Sequence, residues 1–106
     1  MVKQVIKFSA TWCAPCKAFA PTFNKVKAMD EFKNIEFKEL DIEEDEEGID
    51  LVEKFQIRSV PTTVLVDDNG DVLVKVSGAI PLIDFANIIR EKSNPSENNT
   101  EQHDAA

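Results

Sequence analysis

The 106-residue sequence has no apolar run close to the roughly 20 residues that a membrane-spanning helix needs, so we expect no membrane segment. It also lacks clusters of basic side chains. Its 12 lysine and arginine residues stand against 20 acidic residues, and the formal net charge is −8. Because phosphate groups are bound by clustered lysine and arginine, this balance argues against nucleic acid as a partner.

The amino-terminal residues lack the apolar centre of a secretion signal, because Lys7 interrupts the apolar stretch there. We therefore expect the protein to stay where it is made, in the cytoplasm. The chain length allows one domain with one modest core. Residues 93–106 contain no large apolar side chain to offset the entropy lost on ordering. We expect a single domain over residues 1–92 and a disordered tail over residues 93–106.

Cysteine is scarce, since Cys13 and Cys16 are the only two and lie three positions apart. A disulfide that closes so short a loop constrains the unfolded chain very little, which disfavours a purely structural bridge. A zinc site needs about four ligands, and the only histidine, His103, lies in the predicted tail. We expect no metal, and redox chemistry is the leading interpretation of the cysteine pair.

The residue pattern predicts secondary structure in the order β-α-β-α-β-β-α. The predicted strands cover residues 2–8, 35–42, 62–66 and 72–76, and the predicted helices cover residues 15–29, 48–55 and 82–92. The first strand–helix–strand unit should be parallel, and Asn69-Gly70 predicts an antiparallel hairpin between the last two strands. We therefore expect an α/β fold with helices on both faces of a four-stranded mixed sheet.

The first predicted helix begins at the cysteines, and this position has a chemical consequence. The first-turn amide groups of a helix have no intrahelical acceptors, and the helix dipole is positive at that end. Both effects lower the pKa of the Cys13 thiol, so we expect Cys13 to be the attacking nucleophile. Cys16, one turn later, should lie deeper and attack the mixed disulfide at Cys13, which releases the reduced substrate.

The segment Trp12-Cys13-Ala14-Pro15-Cys16-Lys17 resembles the active-site motif of the thioredoxin family, with Ala14 where a glycine is usual. Further segments agree with the family in the same order: Pro21 in the first helix, Ile57-Arg58-Ser59-Val60-Pro61-Thr62, the turn Asn69-Gly70 and the loop Ser77-Gly78-Ala79. The resemblance covers roughly residues 2–92. It implies the thioredoxin fold and a protein-disulfide reductase that works through a reversible Cys13–Cys16 dithiol/disulfide.

The resemblance also implies a substrate site and partners. Val60–Pro61 would be a cis peptide that faces the cysteines, so that the Val60 backbone can pair with an extended substrate segment. The implied apolar rim consists of Trp12, Val60, Pro61, Gly78 and Ala79. The implied partners are disulfide-containing protein substrates and a thioredoxin reductase or other thiol donor. No cofactor is implied, and we expect a monomer.

Two features depart from the family's pattern. The family usually carries one more strand and helix before the first strand seen here, and without them the strand at residues 35–40 would lie at an open sheet edge. Lys7 stands where the family has a buried aspartate, and Glu39 aligns with that aspartate's partner lysine. Because a lone buried lysine is costly, we expect Lys7 and Glu39 to meet beneath the cysteines, with Glu39 accepting the Cys16 proton. The alternative is that both are half exposed and unrelated.

Three functions remain open from the sequence. Ala14-Pro15 between the cysteines and the missing signal favour a disulfide reductase. The second possibility is a disulfide oxidase or isomerase, but such proteins of this fold usually have a different dipeptide between the cysteines. The third possibility is an accessory binding module in which the cysteines are incidental.

The acidic stretch over residues 41–47 lacks the spacing of a calcium loop, so we expect a solvated loop.

Overall fold

The computed structural model describes residues 1–93. Its strands are β1 (Val2–Ser9), β2 (Glu36–Asp41), β3 (Thr62–Asp67) and β4 (Val72–Ser77), and its helices are α1 (Ala14–Lys27), α2 (Glu46–Lys54) and α3 (Leu82–Lys92). The predicted order of strands and helices is confirmed. A short 3₁₀ turn at Asp30–Phe32, which follows α1, was not predicted. The predicted tail, apart from Ser93, lies outside the described residues.

The four strands form one sheet in the order β2-β1-β3-β4. β1 and β2 are parallel, whereas β3 is antiparallel to both of its neighbours, β1 and β4. The predicted four-stranded mixed sheet is therefore confirmed. Among the described residues, β2 and β4 form the two edges of the sheet.

β1 lies inside the sheet, and its side chains alternate between two cores. Val5 joins the core beneath α1 and α3, which also contains the rings of Phe19 and Phe85. Ile6 and Phe8 point to the opposite face, into the core covered by α2. The predicted placement of helices on both faces of the sheet follows from this two-sided burial.

α1 begins directly after β1 and is oriented by its buried stripe. Cys13 is the N-cap with an extended backbone, and Pro15 sits in the first turn, where its missing N–H leaves no hydrogen bond unmade. Phe19, Phe23 and Val26 form the buried stripe that packs against the sheet. Because this stripe anchors α1, its amino-terminal end and both cysteines are held at the end of β1.

α2 approaches β2 closely at Gly48. A Cβ atom on this residue would overlap the Asp41 carbonyl oxygen, so glycine is required for the contact. The segment between β2 and α2 is thereby held near the cysteines, against which its Ile42 packs. None of the helices in residues 1–93 has the length and apolar character needed to cross a membrane.

The end of α3 is tied to the 3₁₀ turn by a bidentate ion pair. Arg90 Nε and Nη2 donate hydrogen bonds to the two carboxylate oxygens of Glu31 at 2.6 and 2.8 Å. The guanidinium also lies 5.8 Å from the centre of the Phe32 ring. The hydrogen bonds from Arg90 are the main reason that the pKa of the Glu31 carboxyl is lowered from its ordinary value.

We predict that Arg90→Gln lowers the stability of the protein slightly at pH 7, because exposed ion pairs contribute little. Since the pKa of Glu31 is lowered in the folded state, its contribution is present above the pKa of the unfolded chain and is lost as the pH falls through the folded value. In urea unfolding, the difference from wild type should therefore shrink below about pH 4. Lys25→Gln, the matched charge removal at an exposed position of α1, should show no such trend. A constant difference for Arg90→Gln down to low pH would contradict the prediction.

Candidate active site

Cys13 and Cys16 form a disulfide at the amino-terminal end of α1. The Cys16 backbone N–H donates to the Cys13 Sγ at 3.1 Å, so one of the free first-turn amides points at this sulfur. In the oxidised state both residues are buried, with exposures of 3% for Cys13 and 1% for Cys16. Cys16 is slightly the deeper of the two cysteines, as expected.

The disulfide packs against Ala10, Ile42 and Val60. The Val60–Pro61 peptide is cis, as the resemblance implied. The Cys13 Sγ lies 3.7 Å from the Val60 carbonyl oxygen. A disulfide sulfur carries no proton, so this is a packing contact here, whereas the thiol of a reduced Cys13 has a proton to donate to that oxygen.

The expected rim is present in part. Trp12 is 64% exposed, Ala79 is exposed and Val60 is half-buried. The Gly78 N–H donates to the Pro61 carbonyl at 2.7 Å, and its positive φ of 89° suits glycine. The expectation for Pro61 needs correction, because its side chain is fully buried. Pro61 lies beneath the rim and supports it through its backbone.

An apolar groove of about 130 Å³ runs from the rim towards α2. Its lining residues are Trp12, Ile42, Val52, Ile57, Arg58, Ser59 and Val60. The sequence analysis identified only Trp12 and Val60 of this set as site residues. Ile57, Arg58 and Ser59 belong to the family segment before the cis peptide. Ile42, from the loop after β2, and Val52, from α2, lie in no motif that the sequence analysis identified.

The acidic stretch is exposed from Glu43 onwards, and one of its members contacts the site. The Trp12 Nε1–H donates to Glu43 Oε1 at 2.9 Å, which fixes the indole. The Asp41 carboxylate accepts the backbone N–H groups of Glu43 and Glu44 at 2.8 and 2.9 Å, which fixes the loop. Within residues 1–93, no group of His, Cys, Asp and Glu side chains is arranged to hold a metal ion.

Lys7 and Glu39 meet beneath the cysteines. They are paired in the parallel register of β1 and β2, and Lys7 Nζ lies 3.0 Å from Glu39 Oε2. The ammonium also donates to the Cys16 carbonyl at 3.3 Å and lies 5.6 and 5.4 Å from the ring centres of Phe19 and Phe23. The two ends of the pair differ, since the Lys7 side chain is 0% exposed and that of Glu39 is 53% exposed.

Glu39 opens onto a cleft of about 360 Å³. The other lining residues are Ser9, Ala10, Thr11, Lys17, Asp41 and Asp45. The cleft lies at the carboxyl ends of the parallel strands β1 and β2, from which α1 and α2 leave to opposite faces of the sheet. Open α/β sheets form crevices at the point where the helices that follow two neighbouring strands leave to opposite faces of the sheet. Bulk solvent therefore reaches the Glu39 carboxylate but not the Lys7 ammonium.

The chain is similar to known proteins over most of the described residues. The profile of the family described as Thioredoxin matches residues 2–91. Thioredoxin Asp f 29 of Aspergillus fumigatus is 38% identical over 77 residues, which are 73% of this chain and 66% of that protein. Thioredoxin-1 of Saccharomyces cerevisiae is 39% identical over 77 residues, which are 73% of this chain and 69% of that protein. The chain spans about two thirds of the length of these relatives.

A solved structure shows the same architecture. The crystal structure of the Malassezia sympodialis thioredoxin Mala s 13 matches with a TM-score of 0.71 at 32% sequence identity, covering 84% of this chain and 74% of that one. The chain belongs to the thioredoxin family. The resemblance inferred from the segment Trp12–Cys16 is thus confirmed.

The unequal exposure of Lys7 and Glu39 changes the expected effect of substituting them. Glu39→Gln leaves a buried ammonium without its counter-charge and should cost about 1–3 kcal/mol in the free energy of unfolding. Lys7→Met leaves a carboxylate that water already reaches, so its cost should stay within about 1 kcal/mol. Adding Lys7→Met to Glu39→Gln should therefore restore stability.

Urea unfolding of the two single variants and the double variant measures these effects. Glu36→Gln, an exposed position on the same strand, is the matched control and should be nearly neutral. Equal losses in the free energy of unfolding for Lys7→Met and Glu39→Gln would contradict this prediction, because they would show that the two side chains are equally buried.

Proposed function

We propose that this protein is a thiol–disulfide oxidoreductase that acts as a protein-disulfide reductase through its Cys13–Cys16 pair. The observation that carries the proposal is the disulfide at the start of α1, where the Cys16 N–H is donated to the Cys13 Sγ at 3.1 Å. A hydrogen bond to sulfur at this position favours the thiolate of a reduced Cys13, and the thiolate is the form that attacks disulfides.

The reaction begins with the dithiol form. The Cys13 thiolate attacks one sulfur of a substrate disulfide, so that the Cys13–substrate bond forms, the substrate disulfide breaks and one substrate thiolate leaves. Cys16 then loses its proton and attacks the Cys13 sulfur, which forms the Cys13–Cys16 disulfide and releases the second substrate thiolate. Two electrons have passed to the substrate, and a thioredoxin reductase or another thiol donor must return two electrons to the pair.

Lys7 and Glu39 serve the second step in this proposal. The proton that leaves Cys16 is taken up by the Glu39 carboxylate, either directly or through water in the open cleft, and passes from there to solvent. The Lys7 ammonium, 3.0 Å from the carboxylate, holds the carboxylate in position for this step. The roles of the family's buried acid and its lysine are thereby exchanged between the two strands.

The rim residues Trp12, Val60, Gly78 and Ala79, supported by Pro61, receive a disulfide-bearing segment of a protein substrate. The exposed indole of Trp12 and the backbone of Val60 lie beside the cysteines, and both residues line the apolar groove. Shallow apolar surfaces with nearby backbone groups suit extended peptides of varied sequence. We accordingly propose protein substrates of broad sequence. We also propose that the protein is a monomer.

We also propose that the protein works in a reducing compartment such as the cytoplasm and contributes there to electron transport and cell redox homeostasis. The absence of cysteines beyond the redox pair suits such a compartment, where structural disulfides are rare. A yeast relative, Thioredoxin-3, is described as mitochondrial, so membership of the family does not fix the location.

Substitution of each cysteine tests the assigned roles. With dithiothreitol as the electron donor, Cys13→Ser should no longer catalyse insulin reduction, because the attacking thiolate is gone and the remaining Cys16 is buried. Cys16→Ser should retain the first attack and accumulate mixed disulfides at Cys13, visible on non-reducing gels. The wild-type protein should be active, which separates a reductase from an accessory binding module. Mixed disulfides that form at Cys16 in Cys13→Ser, with none in Cys16→Ser, would reverse the assignment.

The proton-transfer role of Glu39 predicts a pH effect on the second step alone. With Ellman's reagent, attack by Cys13 releases one thionitrobenzoate, and attack by Cys16 releases the other. In Glu39→Gln the second release should be about 10²-fold slower near neutral pH, with a changed pH profile, because its general base is gone. The first release should keep the wild-type rate. Glu36→Gln should behave as wild type, and a normal second release in Glu39→Gln would remove Glu39 from the mechanism.

A further inference from the structure

Thr63 lies directly opposite Lys7 in the antiparallel pairing of β1 and β3. The next pair along, Val5 and Leu65, belongs to the core beneath α1 and α3. Alternation along both strands therefore places Lys7 and Thr63 on that same face of the sheet. Both residues are 0% exposed, so a hydroxyl and an ammonium-bearing side chain are buried side by side on this face of the sheet.

The Lys7 ammonium has more N–H donors than it has hydrogen-bond acceptors among the described residues. It carries three N–H donors. Two of them are accounted for by Glu39 at 3.0 Å and by the Cys16 carbonyl at 3.3 Å. The rings of Phe19 and Phe23, at 5.6 and 5.4 Å, attract the positive charge but lie too far away to accept a hydrogen bond.

The hydroxyl is unsatisfied as well. Thr63 Oγ1 is buried and has no hydrogen-bond partner among the described residues. Buried polar atoms without a partner are rare in native proteins because each one loses its hydrogen bonds to water. The neighbouring Thr62 makes the contrast clear, since its hydroxyl donates to the Ser59 carbonyl at 2.7 Å.

We propose that Thr63 binds a buried water molecule that also accepts the remaining N–H of Lys7. One water satisfies both groups, because it accepts a hydrogen bond from the ammonium and exchanges another with the hydroxyl. Buried waters in proteins have this character, usually with about three hydrogen bonds to polar groups that lack other partners. The two side chains that would bind this water, Lys7 and Thr63, lie on the adjacent strands β1 and β3.

Thr63 is then a positioning residue that acts through Lys7. The water, the Glu39 carboxylate and the Cys16 carbonyl fix the ammonium from three directions. This inference rests on the proposed function, since the ammonium so held keeps the Glu39 carboxylate and the Cys16 backbone in place for the second step. Loss of the hydroxyl frees one donor, and the ammonium then shifts to recover a hydrogen bond.

The first test compares Thr63→Val, which replaces the hydroxyl by a methyl group of similar size, with Thr63→Ser, which keeps it. If the water is bound, Thr63→Val should lower the folding equilibrium constant about tenfold, similar to the loss in the control Thr62→Val, whose hydrogen bond is known. Thr63→Ser should recover most of this loss. In the Lys7→Met background, where the ammonium is absent, Thr63→Val should no longer be destabilising. A Thr63→Val protein at least as stable as wild type would overturn the proposal, because a truly unpartnered hydroxyl is removed without loss.

The second test asks whether Thr63 positions the site. With Ellman's reagent, Thr63→Val should change the pH profile of the second thionitrobenzoate release by Cys16 and leave the first release by Cys13 unchanged, while Thr63→Ser should follow wild type. A destabilised Thr63→Val with the wild-type pH profile would reduce Thr63 to a structural residue and contradict the positioning role. The two proposals fail separately: a normal pH profile in Glu39→Gln removes the proton-transfer role, whereas the stability of Thr63→Val decides the water site independently.

Discussion

The charge of Lys7 lies in the middle of a strand that is buried on both faces, and the arrangement beneath the cysteines follows from the need to keep that charge paired. An ammonium in this position is tolerated only where an opposite charge and hydrogen-bond acceptors are close. The parallel register of β1 and β2 supplies Glu39, and the first turn of α1 supplies the Cys16 carbonyl. Because β1 also leads directly into the cysteines, one strand fixes the charged pair and the disulfide relative to each other.

The features that could be predicted from the sequence are those that depend on local pattern. The alternation of Val5, Ile6 and Phe8 indicates a strand buried on both faces, and the spacing of Phe19, Phe23 and Val26 indicates the buried stripe of α1. The meeting of Lys7 and Glu39 was also expected, because a buried lysine needs a carboxylate and the family pattern shows which strand provides it. These expectations required only periodicity, charge and the resemblance.

What could not be predicted depends on contacts between distant segments. Glu39 is half exposed because β2 forms an edge of the described sheet beside an open cleft, and a position in a strand does not reveal how much water reaches its side chain. The hydrogen bond from Trp12 to Glu43 joins segments 31 residues apart, which no motif connects. Pro61 was expected in the apolar rim, but its ring is buried, and the contact with the disulfide comes from the Val60 carbonyl oxygen, 3.7 Å from the Cys13 Sγ.

The central claim is that Cys13 and Cys16 form a reversible couple poised to donate electrons. Its most direct test is the reduction potential of the Cys13–Cys16 disulfide, measured by equilibration with glutathione buffers and quantified by alkylation of the free thiols. A disulfide reductase must have a potential at or below that of the cytosolic glutathione pool, so the account predicts a value more negative than about −220 mV. A less negative value, in the range of proteins that donate disulfides to others, would contradict it.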